Sequence, residues 1–237
     1  ARWRRVNDHC RIIKKHHEGL SRLIKSLPKL INLNTLNTTH SYPVMEMFYS
    51  LQGEGYHQGK AAFFIRLAGC DVGCVWCDVK DSWDASKHPQ LSIVEIVNAA
   101  LSHPSKIAIV TGGEPLLHAL DPLTTALKAA GFQTHIETSG SSLLSGQWDW
   151  ICLSNKKFKF PLEESIVAAS ELKVVVFNKF DIEWAESFEK KVSPNCKLYL
   201  QPEWDKADTM TPLSIDYIKA HPQWELSAQL HKYIQVP

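Results

Sequence analysis

Three cysteines crowded into one short loop constrain this chain more than any other feature. Cys70, Cys74 and Cys77 are spaced C-x3-C-x2-C in Gly69-Cys70-Asp71-Val72-Gly73-Cys74-Val75-Trp76-Cys77-Asp78. An iron–sulfur cubane normally takes four thiolates. Three, with no fourth nearby, describe a cluster with one iron left open, and an open metal position marks a site for an exchangeable ligand. A zinc knuckle needs a fourth Cys or His at knuckle spacing. The nearest candidate, His88, stands alone beyond Asp78, Asp81 and Trp83. The remaining cysteines, Cys10, Cys152 and Cys196, are scattered. That usage fits a reducing, cytoplasmic setting with metal chemistry, not a disulfide scaffold. Cys152 lies in an apolar stretch and reads as a small core residue.

The 237 residues are 44% hydrophobic and 22% charged, enough for one α/β domain with a real core. No apolar run approaches the length of a membrane span. The net charge of +1 carries no nucleic-acid signature for the chain as a whole. It is unevenly placed: residues 1–44 hold nine basic side chains against Asp8 and Glu18, a local +7, leaving −6 for the rest. This Arg-rich, acid-poor stretch superficially resembles a transit peptide and also suits a basic arm for RNA or a membrane surface. It reads best as an appendage, residues 1–41, to a domain spanning 42–237, with Met45 as a candidate start. Residues 17–32 have the spacing of an amphipathic helix broken at Pro28.

From Tyr42 onward strand and helix signals alternate. Apolar runs predict strands over Ala62–Leu67, Ile107–Val110, Gln133–Glu137, Trp150–Leu153, Leu172–Val176, Leu198–Gln201 and Glu225–Leu230. Ser92 with Glu95 predicts a capping box for a helix over Ile93–Leu101. Asp121 is placed as the cap of a second helix, with Pro122 at its first position and Gly131 past its end. Further helices are expected near Glu163–Ala169, Ile182–Lys190 and Leu213–His221. The alternation argues a mostly parallel sheet with outer helices. Six or so strands are too few for a closed eight-stranded barrel, so the expected fold is an open, partial (β/α) barrel. Thr111-Gly112-Gly113-Glu114-Pro115 and Glu137-Thr138-Ser139-Gly140 both follow strands, as the cysteine loop does. Parallel sheets place their sites at the carboxyl ends of strands, so these motifs should converge. Two glycines at a strand end let the backbone approach a ligand closely.

The cysteine spacing, Trp76 just before the last cysteine, and the Gly-Gly-Glu-Pro segment together resemble the radical S-adenosylmethionine superfamily. Further segments resemble a narrower family, the 7-carboxy-7-deazaguanine synthases. They are Glu46-Met47-Phe48, Leu51-Gln52-Gly53-Glu54-Gly55, Ile65–Cys70, Glu171–Val176, Gln201-Pro202 and His231-Lys232-Tyr233. Their order covers nearly all of residues 42–237. The resemblance implies a [4Fe-4S] cluster on Cys70, Cys74 and Cys77, S-adenosylmethionine chelated by the open iron, and Mg2+. It implies conversion of 6-carboxy-5,6,7,8-tetrahydropterin to 7-carboxy-7-deazaguanine, in queuosine and deazapurine biosynthesis, by hydrogen abstraction from C6, ring contraction and loss of ammonia. It also implies an electron donor such as flavodoxin or ferredoxin, and a homodimer.

Position by position, the resemblance places Trp76, Gly112, Gly113, Glu114, Ser139, Ser154 and Lys156 at the cofactor. It places Gln52, Gly53, Glu54, Arg66, Thr111, Gln201 and the carboxylate of Pro237 at the substrate. Two departures stand out. The family carries a hydroxyl residue after Cys-Asp that ligates Mg2+, whereas this chain has Cys77-Asp78-Val79. The family's Ser-Pro-Lys is Ser154-Asn155-Lys156 here. Competing readings are another small radical enzyme, such as a glycyl-radical activase, and a non-enzymatic metal-binding module.

Overall fold

The computed structural model describes residues 40–237; the segment 1–39, including the helix expected over 17–32, lies outside the described residues. Nine strands are described: β1 (Ser41–Leu51), β2 (Ala61–Leu67), β3 (Gln90–Ser92), β4 (Ile107–Gly112), β5 (Gln133–Thr138), β6 (Trp150–Leu153), β7 (Glu171–Val176), β8 (Lys197–Pro202) and β9 (Trp224–Leu226). The helices are α1 (Ile93–Leu101), α2 (Asp121–Ala129), α3 (Glu163–Ala168), α4 (Phe180–Glu189), α5 (Ala207–Ala220) and α6 (Leu230–Ile234). The strands form one sheet in the order β3-β1-β2-β4-β5-β6-β7-β8-β9. From β2 onward the neighbours run parallel. β1 runs antiparallel to both β2 and β3. The outermost strands, β3 and β9, do not pair with each other, so the expected partial barrel is open.

Several boundaries follow directly from the sequence. Ser92 caps α1 through the reciprocal box with Glu95, donating its N–H to Glu95 Oε2 at 2.7 Å. Gly131 takes φ +82 just beyond α2, where a left-handed residue ends a helix at no steric cost. Other expectations need correction. Asp121 is the first residue of α2 rather than its cap, and no side chain caps that helix. α5 starts at Ala207, not near Leu213, and runs through Pro212, so the loss of one backbone donor does not end it. The last strand is confined to Trp224–Leu226, and Leu230 opens α6 instead. β1 and β3 add two strands that the apolar runs do not predict. The alternation of β1 is interrupted by a register shift between Val44 and Glu46, and β3 is only three residues long. The Gln52–Gly55 loop therefore follows β1 and leads into β2.

Alternation along the strands separates two environments. Phe63, Ile65 and Leu67 of β2, with Ala108 and Val110 of β4, are buried in one apolar cluster with α1 and α2 residues such as Ile96 and Leu127. Leu172, Val174 and Val176 of β7, with Leu198 and Leu200 of β8, form a second cluster with Ile182, Ala185 and Phe188 of α4. The intervening residues, Arg66, Thr111, Lys173 and Gln201, face the pocket side of the sheet. The outward face is thus glued to helices by burial, while the inward face is left free for polar groups.

Beneath the pocket, the loop after β1 folds back against the sheet. Tyr56 stacks on Trp150 at 4.8 Å, and the His57 ring lies 4.5 Å from His135. Tyr56 N and Trp150 Nε1 both donate to Glu171 Oε2 at 3.0 Å. Among the described residues no helix is long and apolar enough to cross a membrane. Burial, reinforced by the neighbouring His57, pulls the His135 pKa down to about 4. The unfolded chain therefore binds the extra proton first, and the stability held by neutral His135 is full above the ordinary histidine value of about 6.5 and lost as pH falls towards 4. We expect unfolding free energy to drop by about 2–3 kcal/mol over that window, and a His135→Phe variant to lose that slope. Urea titrations at pH 7 and pH 4.5 read both, and an equal slope in the two proteins would contradict the assignment.

Candidate active site

The carboxyl ends of the parallel strands open into a pocket of about 280 Å³. Every candidate site residue named from the sequence lines it. Cys70, Cys74, Trp76 and Cys77 come from the loop after β2, with Val79 and Asp78 behind them. Thr111, Gly112, Gly113 and Glu114 come from the end of β4, Ser139 from β5, and Ser154 and Lys156 from β6. Gln52, Gly53 and Glu54 follow β1, Arg66 stands on β2, Gln201 on β8, and Pro237 ends the chain.

The two glycines after β4 serve a purpose that the motif alone does not suggest. Gly112 takes φ +147, and a Cβ there would lie 2.0 Å from the Leu67 carbonyl oxygen; at Gly113 it would lie 2.3 Å from that of Gly69. What approaches this backbone closely is the start of the cysteine loop. Gly113 N donates to Leu67 O at 3.0 Å, and Glu114 N to Gly69 O at 2.8 Å. The loop is held from its other side by the turn Lys80–Trp83, whose Ser82 and Trp83 carbonyls accept from Gly69 N and Cys70 N.

Glu114 is 2% exposed and accepts four hydrogen bonds. Leu116 N and Thr138 Oγ1 reach one oxygen at 3.0 and 2.5 Å, and Ser139 N and Oγ reach the other at 2.8 and 2.5 Å. A buried carboxylate so satisfied clamps the end of β4 to the end of β5. Lys156 Nζ donates to both the carbonyl and the hydroxyl of Ser154 at 2.5 Å. Burial lowers the Lys156 pKa. Trp76 stacks on Phe177 at 5.1 Å with Phe158 tilted beside it.

The three thiols suit an iron–sulfur cluster in number and kind. Burial raises the Cys70 and Cys74 pKa values, so metal loading must displace their protons. Cys152 and Cys196 are buried outside this pocket and offer no fourth thiolate. Among the described residues no three His, Cys, Asp or Glu side chains are already drawn into ligating geometry. The fit to a cluster therefore rests on donor type and shared wall. Arg66 Nε is paired with Glu46 Oε1 at 2.6 Å, which steadies the guanidinium of a residue that lines the pocket.

Several lining residues are assigned no role from the sequence, although most lie within segments that carry the resemblance. Lys173 pairs with Glu54 and Glu137, and Gln229 Nε2 donates to Glu54 Oε1 at 3.1 Å. His231 packs on Gly53, where a Cβ would lie 2.2 Å from its Nδ1. Lys232 Nζ lies 3.0 Å from Asp78 Oδ2. These contacts join residues far apart in the chain, and the only local signal is polar residues in otherwise apolar strand or tail segments.

Comparison with known proteins agrees with this geometry. The family model "Radical SAM superfamily" matches residues 64–152. A 7-carboxy-7-deazaguanine synthase of Flavobacterium psychrophilum is 51% identical over 195 residues, covering 82% of this chain and 92% of that protein. One from Synechocystis is 48% identical, covering 84% and 95%. The crystal structure of QueE from Escherichia coli superposes with a TM-score of 0.74 at 32% identity, covering 86% of this chain and all of that one. A chain with this pocket and these relatives belongs to the 7-carboxy-7-deazaguanine synthase family of radical S-adenosylmethionine enzymes.

Proposed function

We propose that this enzyme contracts the ring of 6-carboxy-5,6,7,8-tetrahydropterin to 7-carboxy-7-deazaguanine with loss of ammonia, a step of queuosine biosynthesis. The observation that carries the reading is the convergence on one pocket of the cysteine loop, the Gly-Gly-Glu-Pro turn and the Gln52–Glu54 loop. Neither a glycyl-radical activase nor a metal-binding module accounts for the extent of identity to the synthases.

When bound, the cluster and S-adenosylmethionine supply hydrogen-abstracting radical chemistry that no side chain can perform. The protein's share is position and charge. Cys70, Cys74 and Cys77 hold the irons as thiolates. Gly112, Gly113, Ser139, Ser154 and Lys156 offer polar groups to the cofactor, with Trp76 beside them. Glu114 serves it by holding two of these segments together. Arg66 offers its planar fork to the substrate carboxylate, a pairing of good geometry. Gln52, Glu54, Thr111 and Gln201 supply polar contacts around the ring. The tail closes the pocket: Leu230 N donates to Gly53 O at 2.9 Å, and Ser50 Oγ to the Pro237 oxygen at 2.9 Å. The one-electron input calls for a donor such as flavodoxin or ferredoxin, and the functional unit we propose is a homodimer.

The magnesium ion implied by the family does not fit the residues present. The Val79 side chain has no oxygen, its carbonyl accepts from Ser82 Oγ at 2.6 Å, and Asp78 is paired with Lys232. Mg2+ demands oxygen ligands in near-ideal octahedral geometry, and no step is assigned to it.

Anaerobic incubation of reconstituted protein with S-adenosylmethionine, reductant and the tetrahydropterin is expected to yield the deazaguanine by mass. Formation of 5′-deoxyadenosine without it would overturn the substrate. Alanine at Cys70, Cys74 or Cys77 should abolish cluster-dependent cleavage, since two thiolates hold a cubane poorly. Turnover in Mg2+-free buffer should stay within about twofold of that with added Mg2+, because among the described residues no three carboxylate, His or Cys side chains are gathered to hold the ion. A drop of about tenfold or more would show an ion held by substrate oxygens and water.

A further inference from the structure

Lys173 is a cation with no part in the reading above, yet it is 2% exposed and sits directly under the pocket. Its Nζ lies 2.5 Å from Glu54 Oε2 and 3.0 Å from Glu137 Oε2. The two carboxylates arrive from different elements, the loop after β1 and strand β5, and both line the pocket. Each is held on its other oxygen by an amide. Gln229 Nε2 donates to Glu54 at 3.1 Å, and Gln52 Nε2 to Glu137 at 2.7 Å. One ammonium therefore organises two carboxylates that are themselves fixed from behind. The other titratable groups around this set are Cys152 of β6, Glu171 of β7 and Lys156 after β6, with His231 of α6 facing Glu54.

We propose that Lys173 is a positioning residue for substrate recognition: its charge holds Glu54 and Glu137 together as two anionic acceptors for the N–H edge of the pterin. This rests on the synthase reading. Two carboxylates this close, without a counter-ion, share a proton, because like charges in a poorly solvated site cannot both ionise. A protonated carboxyl presents a donor where the pterin amino group and ring N–H also present donors, and one of them is left unsatisfied. Burial alone would raise the Glu54 pKa, but Lys173 draws it down to about 2. Burial disfavours the charge on Lys173, but the Glu137 and Glu54 carboxylates facing it hold its pKa above the ordinary value. Charge, not packing volume, is therefore what the site requires at this position.

The test is equilibrium binding of 6-carboxy-5,6,7,8-tetrahydropterin to the reconstituted, S-adenosylmethionine-loaded full chain between pH 6 and pH 8. Wild type, Lys173→Gln and Lys173→Arg are compared, with 5′-deoxyadenosine release followed in parallel. Wild-type affinity should be flat across the range. Lys173→Gln keeps amide donors but no charge. It should bind about tenfold or more weakly at pH 6 and regain affinity towards pH 8, as the carboxylate pair loses its shared proton. Lys173→Arg should restore the flat profile, and uncoupled 5′-deoxyadenosine release should persist in both variants. The proposal is overturned by a flat Lys173→Gln profile, by an Arg profile that bends as the Gln profile does, or by a wild-type affinity that itself falls about tenfold between pH 8 and pH 6. A wild type that binds no pterin at any pH would instead overturn the synthase reading beneath it.

Discussion

The pocket exists because three strand ends are spliced together by backbone and one buried carboxylate. Gly112 and Gly113 lie against Leu67–Gly69 with no room for a Cβ, so the end of β4 and the start of the cysteine loop move as one piece. Glu114, next in sequence, adds the end of β5 through three of its four accepted hydrogen bonds, from Thr138 Oγ1 and from Ser139 N and Oγ. A parallel sheet brings strand ends to one side but does not fix their spacing. The splice does so, and it fixes the thiol loop relative to Ser139 without using any group that must contact a ligand through its side-chain charge.

The second organising element is the polar inner face. β7 reads Glu171-Leu172-Lys173-Val174-Val175-Val176, and its even-numbered residues pack against α4 while Glu171 and Lys173 point inward. Glu171 accepts from Tyr56 N of the loop after β1 and from Trp150 Nε1 of β6, and Lys173 is met by Glu54 of that loop and Glu137 of β5. The tail matters because Gln229, His231 and Lys232 each meet an earlier loop, at Glu54, Gly53 and Asp78 respectively. The Gln52–Glu54 loop, the end of the cysteine loop and the chain end are thereby coupled, whereas the ends of β4 and β5 are joined by the Glu114 clamp.

Much of this architecture is legible in the amino-acid order itself. β6 and α1 begin and end where the apolar run and the Ser92–Glu95 box place them. The thiols, the Gly-Gly-Glu-Pro turn and the Gln52–Glu54 loop are readable because their chemistry demands particular residue types at fixed spacing. What is not legible depends on pairing across the fold. Lys173 meets Glu54 from 119 residues away, and nothing local announces that partner. β1 is hidden because a bulge breaks its alternation, and the first half of α5 because Pro212 looks like a boundary, so that only the stretch from Leu213 is read as helix. Paired glycines at a strand end suggest close approach to a ligand; the folded chain shows that Gly112 and Gly113, while lining the pocket, also lie against the Leu67–Gly69 backbone.

The most direct test of this account is the unfolding free energy of Glu114→Gln, measured by urea titration against wild type with no cluster or S-adenosylmethionine bound. An amide cannot accept all four hydrogen bonds and brings donors into a site already full of them. The account predicts a loss of about 2–4 kcal/mol in the ligand-free protein. A loss below about 0.5 kcal/mol, with only cofactor affinity impaired, would mean that Glu114 serves the ligand and that the strand ends are held by something else.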